Sequence, residues 1–506
     1  MILYSNVETP ESVEISAAAT VSAPAPSDPA MVRAIAWTGA SKWATQLLTW
    51  TSTIFVARIL SPSDYGLFGM ATVYLGMVAL ISEFGLGQAV VVLREMSREH
   101  IAQINTLSAA FGGLLFVVSC ALARPLGHFF HTSKLPPVIV VMSLSFLISG
   151  AQVVPDALLQ RGLRFKLLAG FDTVRTFAQA PVTILLAWLG FGYWSLALSS
   201  VSGVVVYSTL VILAQPCAFA WPRWREIRGA LRFSSDVLGS RVAWYAYSNS
   251  DFMVAGRMLG QSALGAYEMA WTIASAPVDK VTSLVTRVTP AFFSAVQHDK
   301  SELRRYLLRI TEGLSLITFP ASVGIALLAD QFVICVLGPK WLAAATPLRL
   351  LGLYAGFRSI TTLFPGILYA TRQSRFVMWN TVVAAMVFPA AFYFTSRWGT
   401  TGIAITWILL YPLITAPFMW RTFIEIELPV GTYLKSLLPA LRACLVMTGM
   451  VLAVRLALPS TLPLAMRFAL SVMTGILAYA TILALIDRQR LRSFYAVIRS
   501  ARSGSK

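Results

Sequence analysis

The sequence predicts an all-α, polytopic integral membrane protein, and three observations support this fold class. Hydrophobic residues make up 57% of the 506-residue chain and charged residues only 12%, about half of the ~25% typical of soluble domains. Apolar stretches long enough to cross a bilayer recur along almost the whole chain. Lys and Arg collect in alternate spacers between these stretches, as loops on the cytoplasmic side of a membrane protein do.

The chain contains about fourteen apolar stretches of roughly twenty residues, the length that spans a hydrocarbon core. They cover 34–56, 66–90, 104–123, 136–156, 170–189, 194–214, 236–256, 264–292, 313–337, 346–370, 376–396, 402–422, 437–456 and 464–486. If the N-terminus is inside, cytoplasmic segments carry roughly three times as many Lys and Arg as the opposite loops. Both termini are therefore expected to be cytoplasmic.

The formal net charge is +18, which in a soluble chain would suggest nucleic-acid binding. Here the basic residues lie in short spacers between apolar runs, where anionic lipid headgroups attract them. The charge therefore indicates contact with membrane lipids and not with nucleic acid.

The sequence predicts no metal site, no cofactor and no catalytic activity. The four cysteines form no C-x-x-C pair, and the two histidines of the H-F-F-H segment, His128 and His131, have no carboxylate or cysteine beside them in sequence. There is no G-x-S-x-G, no Walker lysine loop and no H-E-x-x-H. An ATP-driven pump is therefore not expected, and energy would come from an ion gradient or from the substrate gradient.

An internal repeat relates the first six helices to helices seven to twelve. A-R-I-L-S-P-S-D-Y-G-L-F-G-M around Arg58 matches G-R-M-L-G-Q-S-A-L-G-A-Y-E-M around Arg257 at a shift of 199 residues, and a second echo at 210 places Pro155 on Pro365. Because six is even, the copies share one orientation, as parallel repeats related by an axis along the membrane normal do. We call them the first and second repeats; the last two helices lie outside the duplication.

The repeat predicts six segments. They are a disordered cytoplasmic tail (1–30), an N-terminal six-helix bundle (31–216), a basic linker (217–235), a C-terminal six-helix bundle (236–422), two extra transmembrane helices (423–487) and a basic cytoplasmic tail (488–506). Met31 stands just before the first helix, so translation could begin at Met1 or at Met31.

Cations inside the predicted spans are the candidate substrate-binding residues. A charge at the bilayer centre normally faces a bundle interior or an aqueous cavity. Lys42 and Arg241 lie on polar stripes of the first and seventh helices, and the 199-residue shift superposes them. The further candidates are Lys280, Arg287 and Arg358. Several fixed cations around one cavity suit an anionic solute such as a pyrophosphate.

Three acidic residues, Asp251, Glu268 and Asp279, are the candidate ion-coupling sites. The alternative is that the candidate cations form structural ion pairs. Their partners would be these three carboxylates or those of Asp172 and Asp236. Arg58 and Arg257 are interpreted differently, as structural arginines at helix C-termini, where they complement the helix dipole.

The A-R-I-L-S-P-S-D-Y-G element, its G-R-M-L-G echo, the two six-helix halves and the two extra helices resemble the polysaccharide transporters of the MOP superfamily. Within it, residues 31–490 look most like the Wzx-type flippases that are similar to the colanic acid exporter. The resemblance implies a V-shaped pair of bundles in the bacterial inner membrane, alternating access, and an oligosaccharide repeat unit on undecaprenyl pyrophosphate as substrate. It also implies polysaccharide polymerase and chain-length machinery as partners. The second copy has Leu264 where the first has Tyr65, so no role is transferred there.

Three other functions stay open at this point. An ion-coupled drug antiporter of the same superfamily would be favoured by more acidic sites and fewer intramembrane cations. A membrane-embedded polysaccharide polymerase or ligase would need a long external loop, and the longest here has about a dozen residues, near 124–135. A scaffold without transport activity does not account for the polar stripes.

Overall fold

The computed structural model describes residues 46, 48–84, 87, 90–91, 97–221, 244–459 and 461–486. The side chains at 83, 84, 287, 288, 290, 291 and 486 lie outside this description. Lys42, Arg241, the predicted tails and most of the predicted linker also fall outside the described residues. The described part of the chain is mostly helical and contains no strand, which confirms the predicted all-α class.

Fourteen α-helices of seven or more residues can be labelled in the described residues. They are α1 (48–59), α2 (Pro62–Phe84), α3 (Arg98–Phe129), α4 (Leu135–Arg161), α5 (Phe165–Trp188), α6 (Tyr193–Ala214), α7 (Ser250–Ala295), α8 (Lys300–Phe332), α9 (Ala345–Thr361), α10 (Phe364–Ala370), α11 (Ser374–Thr395), α12 (Gly399–Glu425), α13 (Val430–Ala457) and α14 (Leu464–Ile486). These labels do not correspond one to one with the fourteen predicted spans. α7 contains the end of the predicted seventh span and the whole of the eighth, and α9 with α10 covers the predicted tenth span.

Eight segments in the described residues are long and apolar enough to cross a membrane. They are Pro62–Ser82, Arg98–Phe129, Leu135–Arg161, Tyr193–Ala214, Lys300–Leu337, Ser374–Glu425, Val430–Ala457 and Leu464–Leu485. The segment Ser374–Glu425 contains both α11 and α12. α5 and α7 do not qualify, and both carry several charged residues. The predicted total of about fourteen spans therefore stays a prediction.

Several predicted spans begin earlier in the structure, and at α2 and α8 an acidic residue caps the helix end. α2 begins at Pro62 and not at residue 66, and the Asp64 carboxylate accepts a hydrogen bond from the backbone N–H of Ser61 (2.9 Å). α8 begins at Lys300 and not at residue 313, where Asp299 accepts from the Ser301 and Glu302 backbone N–H groups. Hydrogen bonds from Ser301 and Glu302 also lower the pKa of Asp299.

Helix breaks divide two of the predicted regions at particular residues. α7 is a 46-residue element with a break at Gly260, whose φ of 82° and ψ of −179° turn the chain between the predicted seventh and eighth spans. The predicted tenth span is interrupted between α9 and α10, where Pro365 occupies the first turn of the new helix. Its repeat partner Pro155 lies within the continuous α4 instead.

The largest hydrophobic core lies where α2 and α7 cross and extends into α11 and α12. Tyr267, Phe388 and Trp407 are almost fully buried there. A second core forms around Phe293 and Phe364, between α7, α8, α10 and α12. The first core lies between the two repeats and positions the residues described next.

Candidate functional site

Two glycines related by the repeat let α2 and α7 pack backbone to backbone. A methyl group built on Gly66 would overlap the carbonyl oxygen of Gln261, and one built on Gly265 would overlap the carbonyl oxygen of Pro62. The four positions are related in pairs by the 199-residue shift, since 66 corresponds to 265 and 62 to 261. The two repeats therefore meet through equivalent and reciprocal contacts at this crossing.

At the same end of the helices, each repeat contributes one arginine that binds the other repeat. Arg58 donates to the backbone carbonyls of Val336 (2.8 Å) and Cys335 at the end of α8. Arg257 donates to the carbonyl of Phe129 at the end of α3 and to the His131 ring. Carbonyls at a helix C-terminus carry partial negative charge, so a guanidinium is a favourable partner.

Two further contacts join the repeats at this end. The Trp341 indole donates to the Ala57 carbonyl (2.8 Å), and the Lys340 ammonium donates to the Arg58 carbonyl (2.7 Å). We call Arg58, Arg257, Lys340 and Trp341, with the groups that accept from them, the arginine clasp. Arg58 and Arg257 therefore bind helix ends of the opposite repeat, whereas the sequence suggested only an interaction with their own helix ends.

Glu268 lies in α7, one turn beyond the Gly66–Gly265 crossing. Its carboxylate occupies the space that a side chain on Gly69 would need, and 69 corresponds to 268 under the 199-residue shift. Oε2 of Glu268 is buried and has no hydrogen-bonding partner among the described residues. A buried carboxylate oxygen without a partner is costly, so this residue is a strong functional candidate.

Asp251 is fully buried in an aromatic cage. Its carboxylate accepts hydrogen bonds from the Tyr267 hydroxyl (2.8 Å) and the Trp407 indole (3.0 Å). Phe252 and Phe388 pack around these donors. Both donors are neutral, so within the described part of the chain this carboxylate is held by hydrogen bonds and not by an ion pair.

Two candidates of opposite charge bind each other, because Arg358 of α9 donates to the carboxylate of Asp279 in α7. The guanidinium also lies over the rings of Trp271 (5.7 Å) and Tyr354 (5.8 Å). The Asp279 side chain is 55% exposed and that of Arg358 only 21%. The pair therefore has one face open to solvent or ligand, although it matches the structural ion pair that the sequence left as an alternative.

The remaining candidate cations are separate from this pair or lie outside the description. Lys280 is exposed and follows Asp279 in α7. The Arg287 side chain, Lys42 and Arg241 belong to the part of the chain that the structure does not describe. Of the five cations predicted to surround one cavity, the structure thus describes only the side chains of Lys280 and Arg358.

Sequence reasoning missed the partners of the clasp. His131, Lys340 and Trp341 carry no local motif, and the helix-end carbonyls that bind the arginines have no side-chain signature. The 199-residue echo was the available signal, since it placed Arg58 and Arg257 at equivalent helix ends. Within the described residues, no group of three or more His, Cys, Asp or Glu side chains could hold a metal ion.

Comparison with known proteins identifies sequence relatives of this chain. The succinoglycan biosynthesis transport protein ExoT of Rhizobium meliloti is 26% identical over 476 residues, which cover 93% of this chain and 96% of that protein. The lipopolysaccharide biosynthesis protein WzxC of Escherichia coli is 24% identical over 367 residues, 70% of this chain and 73% of that protein. These relatives confirm the predicted resemblance to polysaccharide transporters.

Two solved structures share the fold. The lipid II flippase MurJ in an inward closed conformation superposes with a TM-score of 0.72 at 14% identity, over 90% of this chain and 99% of that chain. An inward-facing multidrug resistance MATE family transporter of the MOP superfamily gives 0.61 at 15% identity, over 76% of this chain and 94% of that chain. They confirm the predicted MOP membrane fold. A family model described as polysaccharide biosynthesis protein matches residues 55–346, more than half of the sequence, and the chain therefore belongs to that family.

Proposed function

We propose that this chain is a flippase that moves a polysaccharide repeat unit, linked to undecaprenyl pyrophosphate, across the bacterial inner membrane. It is a transporter and not an enzyme, and it works by alternating access between two repeats. The sequence relatives are named for polysaccharide biosynthesis and its transport, and one relative of the same fold is a lipid II flippase.

The observation that carries the proposal is the reciprocal interface between the repeats. The Gly66–Gly265 crossing and the arginine clasp join the two repeats at one end through small residues and polar contacts, beside the hydrophobic core that lies between the repeats. Equivalent contacts on both sides suit two bundles that rock about a common axis. This supports the division into bundles at 31–216 and 236–422, with two extra helices after them.

The candidate cations would hold the pyrophosphate during this exchange. Lys42, Arg241, Lys280 and Arg287 line the space between the bundles in this proposal. Arg358 would exchange the carboxylate of Asp279 for a phosphate oxygen, because a guanidinium binds either anion through the same donors. Asp251, Glu268 and Asp279 would couple the cycle to an ion gradient.

The proposal places both termini in the cytoplasm and the arginine clasp on the external side. Reporter fusions after residue 130 and after residue 230 should then report opposite sides of the membrane, since residue 130 follows α3 near the clasp and residue 230 lies in the basic linker. Alkaline phosphatase and green fluorescent protein fusions in intact cells measure this. The same location for both fusions would contradict the topology.

Replacing Lys42 or Arg241 with alanine is expected to reduce transport at least about tenfold without lowering the amount of inserted protein. A pyrophosphate brings at least two negative charges, and its passage needs compensating cations on both bundles. Surface polysaccharide and accumulated carrier lipid would be measured together in a deletion strain complemented by each variant. Lys42→Arg should be partly tolerated.

The exposed Lys134 supplies a matched control, because Lys134→Ala removes a cation from a loop outside the predicted cavity. A structural ion pair predicts a different result, with loss of folded protein and rescue when the partner carboxylate is also neutralised. Normal transport in the Lys42→Ala and Arg241→Ala double variant would show that these cations do not hold the substrate.

A further inference from the structure

A polar cavity of about 480 Å³ lies inside the first repeat, away from the interface between the repeats. It is an open cleft lined by α2, α4, α5 and α6 and by Gly87 and Val91, and its size is within the ~300–1,000 Å³ typical of ligand-binding cavities. One wall is a polar stripe on α4, with side chains three or four residues apart. The stripe consists of Ser145, Ser149, Gln152, Asp156 and Gln160.

The opposite wall comes from α5 and α6. Arg175 pairs with Asp172 (2.8 Å) and lies 5.8 Å from the centre of the Tyr207 ring. The Nε atom of Arg175 is buried without a hydrogen-bonding partner in the described part of the chain. On the α4 side, Gln152 accepts a hydrogen bond from Ser208 of α6, so its position is fixed. The cavity therefore presents both donors and acceptors from ordered side chains.

The second repeat shows that the fold does not need this polarity. At the 210-residue shift, the α4 stripe becomes Ala355, Ser359, Thr362, Gly366 and Ala370. Gly366 packs against the Phe293 ring, 3.6 Å from the position a Cβ atom would take, in the second hydrophobic core. In α11, the counterpart of α5, Arg375 is the one charged residue. At these five positions the second copy thus carries small residues, with two hydroxyl groups and no amide or charge, whereas the first copy carries amides and a carboxylate.

The chemistry of the cavity selects an uncharged polyhydroxyl ligand. Asp156 and Asp172 together carry two negative charges and Arg175 one positive charge, so the formal charge of the three is −1, which disfavours a pyrophosphate. A bare metal cation is also disfavoured, because Arg175 already neutralises Asp172 and the described residues offer no group of three or more His, Cys, Asp or Glu ligands there. Sugar hydroxyls both donate and accept, and they match a wall that offers both kinds of group.

We propose that this cavity, lined by Gln152, Asp156, Gln160, Asp172, Arg175 and Tyr207, binds the saccharide part of the carried lipid. The proposal rests on the proposed function and deepens it. The cations between the repeats would hold the pyrophosphate, and the first repeat alone would recognise the sugar. Selection among saccharides would then depend on one repeat, whereas the interface would serve any pyrophosphate-linked carrier.

The test compares two ligands on the purified full-length chain in lipid nanodiscs. One is the lipid-linked oligosaccharide extracted from the deletion strain, and the other is undecaprenyl pyrophosphate without sugar. Gln152→Ala with Asp156→Ala should weaken binding of the glycosylated lipid about tenfold or more, since hydrogen bonds to at least two side chains are lost. Binding of the sugar-free lipid should stay within about twofold of the wild type.

Thr362→Val is the matched control, because Thr362 occupies the position of Gln152 in the second repeat; it should change neither affinity. Asp156→Asn is a milder variant for the case in which the double alanine does not fold, and about a threefold loss for the glycosylated lipid alone is expected. Equal losses for both lipids, or no loss for either, would overturn the saccharide site.

Two other outcomes are informative. If the variants keep their affinity for the glycosylated lipid but lose the dependence of transport on a sodium or proton gradient, the cavity is an ion site and the proposal is wrong. If the wild-type chain binds neither lipid and the deletion strain accumulates no carrier, the proposed flippase function fails, and the saccharide site fails with it.

Discussion

Replacing Gly265 with alanine is expected to abolish transport while the protein still inserts into the membrane. The added methyl group would overlap the backbone carbonyl of Pro62, which no side-chain rotation can relieve. Overpacking of this kind costs about 1–3 kcal/mol, enough to shift the equilibrium between closed and open states by up to about a hundredfold. The clasp end would then stay open, and the cycle would stop. Export of surface polysaccharide in the complemented deletion strain measures this.

The state of the clasp can be observed at Cys335, whose carbonyl accepts from Arg58 in the closed structure. In a variant that keeps this cysteine and replaces Cys120, Cys217 and Cys444 with alanine, a membrane-impermeant maleimide should label Cys335 faster when Gly265→Ala is present.

Gly313→Ala is the control, because a methyl group there meets no atom within 4 Å. The pair Arg58→Ala and Arg257→Ala should also open the clasp, and it does so without steric overlap if Gly265→Ala fails to accumulate. Unchanged transport and unchanged labelling in both variants would show that this interface does not move during the cycle.

Much of this interface could be predicted from the sequence, and the part that could not has a physical explanation. The 199-residue shift already superposed Gly66 on Gly265 and Arg58 on Arg257, because duplicated backbones keep their turn and packing residues. What the repeat could not show is that equivalent residues touch across the axis. Arg58 donates hydrogen bonds to carbonyls that lie 277 and 278 residues further along the chain. Such partners are determined by the arrangement of the helices and not by a local sequence pattern.

Charged residues inside helices were the harder part of the prediction. A pattern on one helix shows that a charge needs a partner or a cavity, but several partners satisfy that need. Arg358 forms an ion pair with Asp279, whereas the Asp251 carboxylate accepts hydrogen bonds from two neutral aromatic side chains. The α4 stripe that ends at Gln160 had the same helical spacing as the stripe around Lys42, and it could have been found in the same way. The polarity of this stripe became distinctive only by comparison with the second repeat, where Gly366 packs in the second hydrophobic core.

The predicted helix limits are wrong where polar residues cap the start of a helix. α3 and α8 extend to 32 and 33 residues, because Ser97 and Asp299 cap them well before the apolar part begins. A window set to the thickness of a bilayer cannot detect such extensions, since the first turns are polar. The break after Thr361 lies inside a stretch that the length criterion treated as one span, although Pro365 follows it closely in the sequence.

Glu268→Gln is expected to remove the coupling of transport to an ion gradient and to leave the fold intact. Oε2 of Glu268 is buried opposite Gly69 without a hydrogen-bonding partner in the described residues. An uncompensated charge there would be costly, so the closed state requires either a proton or a cation on this carboxylate. When the clasp opens, α2 and α7 separate at this point and water reaches the group. Glutamine has nearly the same shape but takes up neither a proton nor a cation.

The measurement is transport of lipid-linked oligosaccharide into the lumen of inverted vesicles, with and without an imposed proton or sodium gradient. Wild-type transport should rise several-fold with the gradient, as expected if about 1 kcal/mol of the free energy of the gradient is coupled to transport. Glu268→Gln should give the same slow rate in both conditions. Asp330→Asn is the control, since this carboxylate is 42% exposed and already paired with Arg349. A gradient response in Glu268→Gln equal to that of the wild type would exclude Glu268 as the coupling residue and leave Asp279 and Asp251, the latter bound by Trp407 of α12.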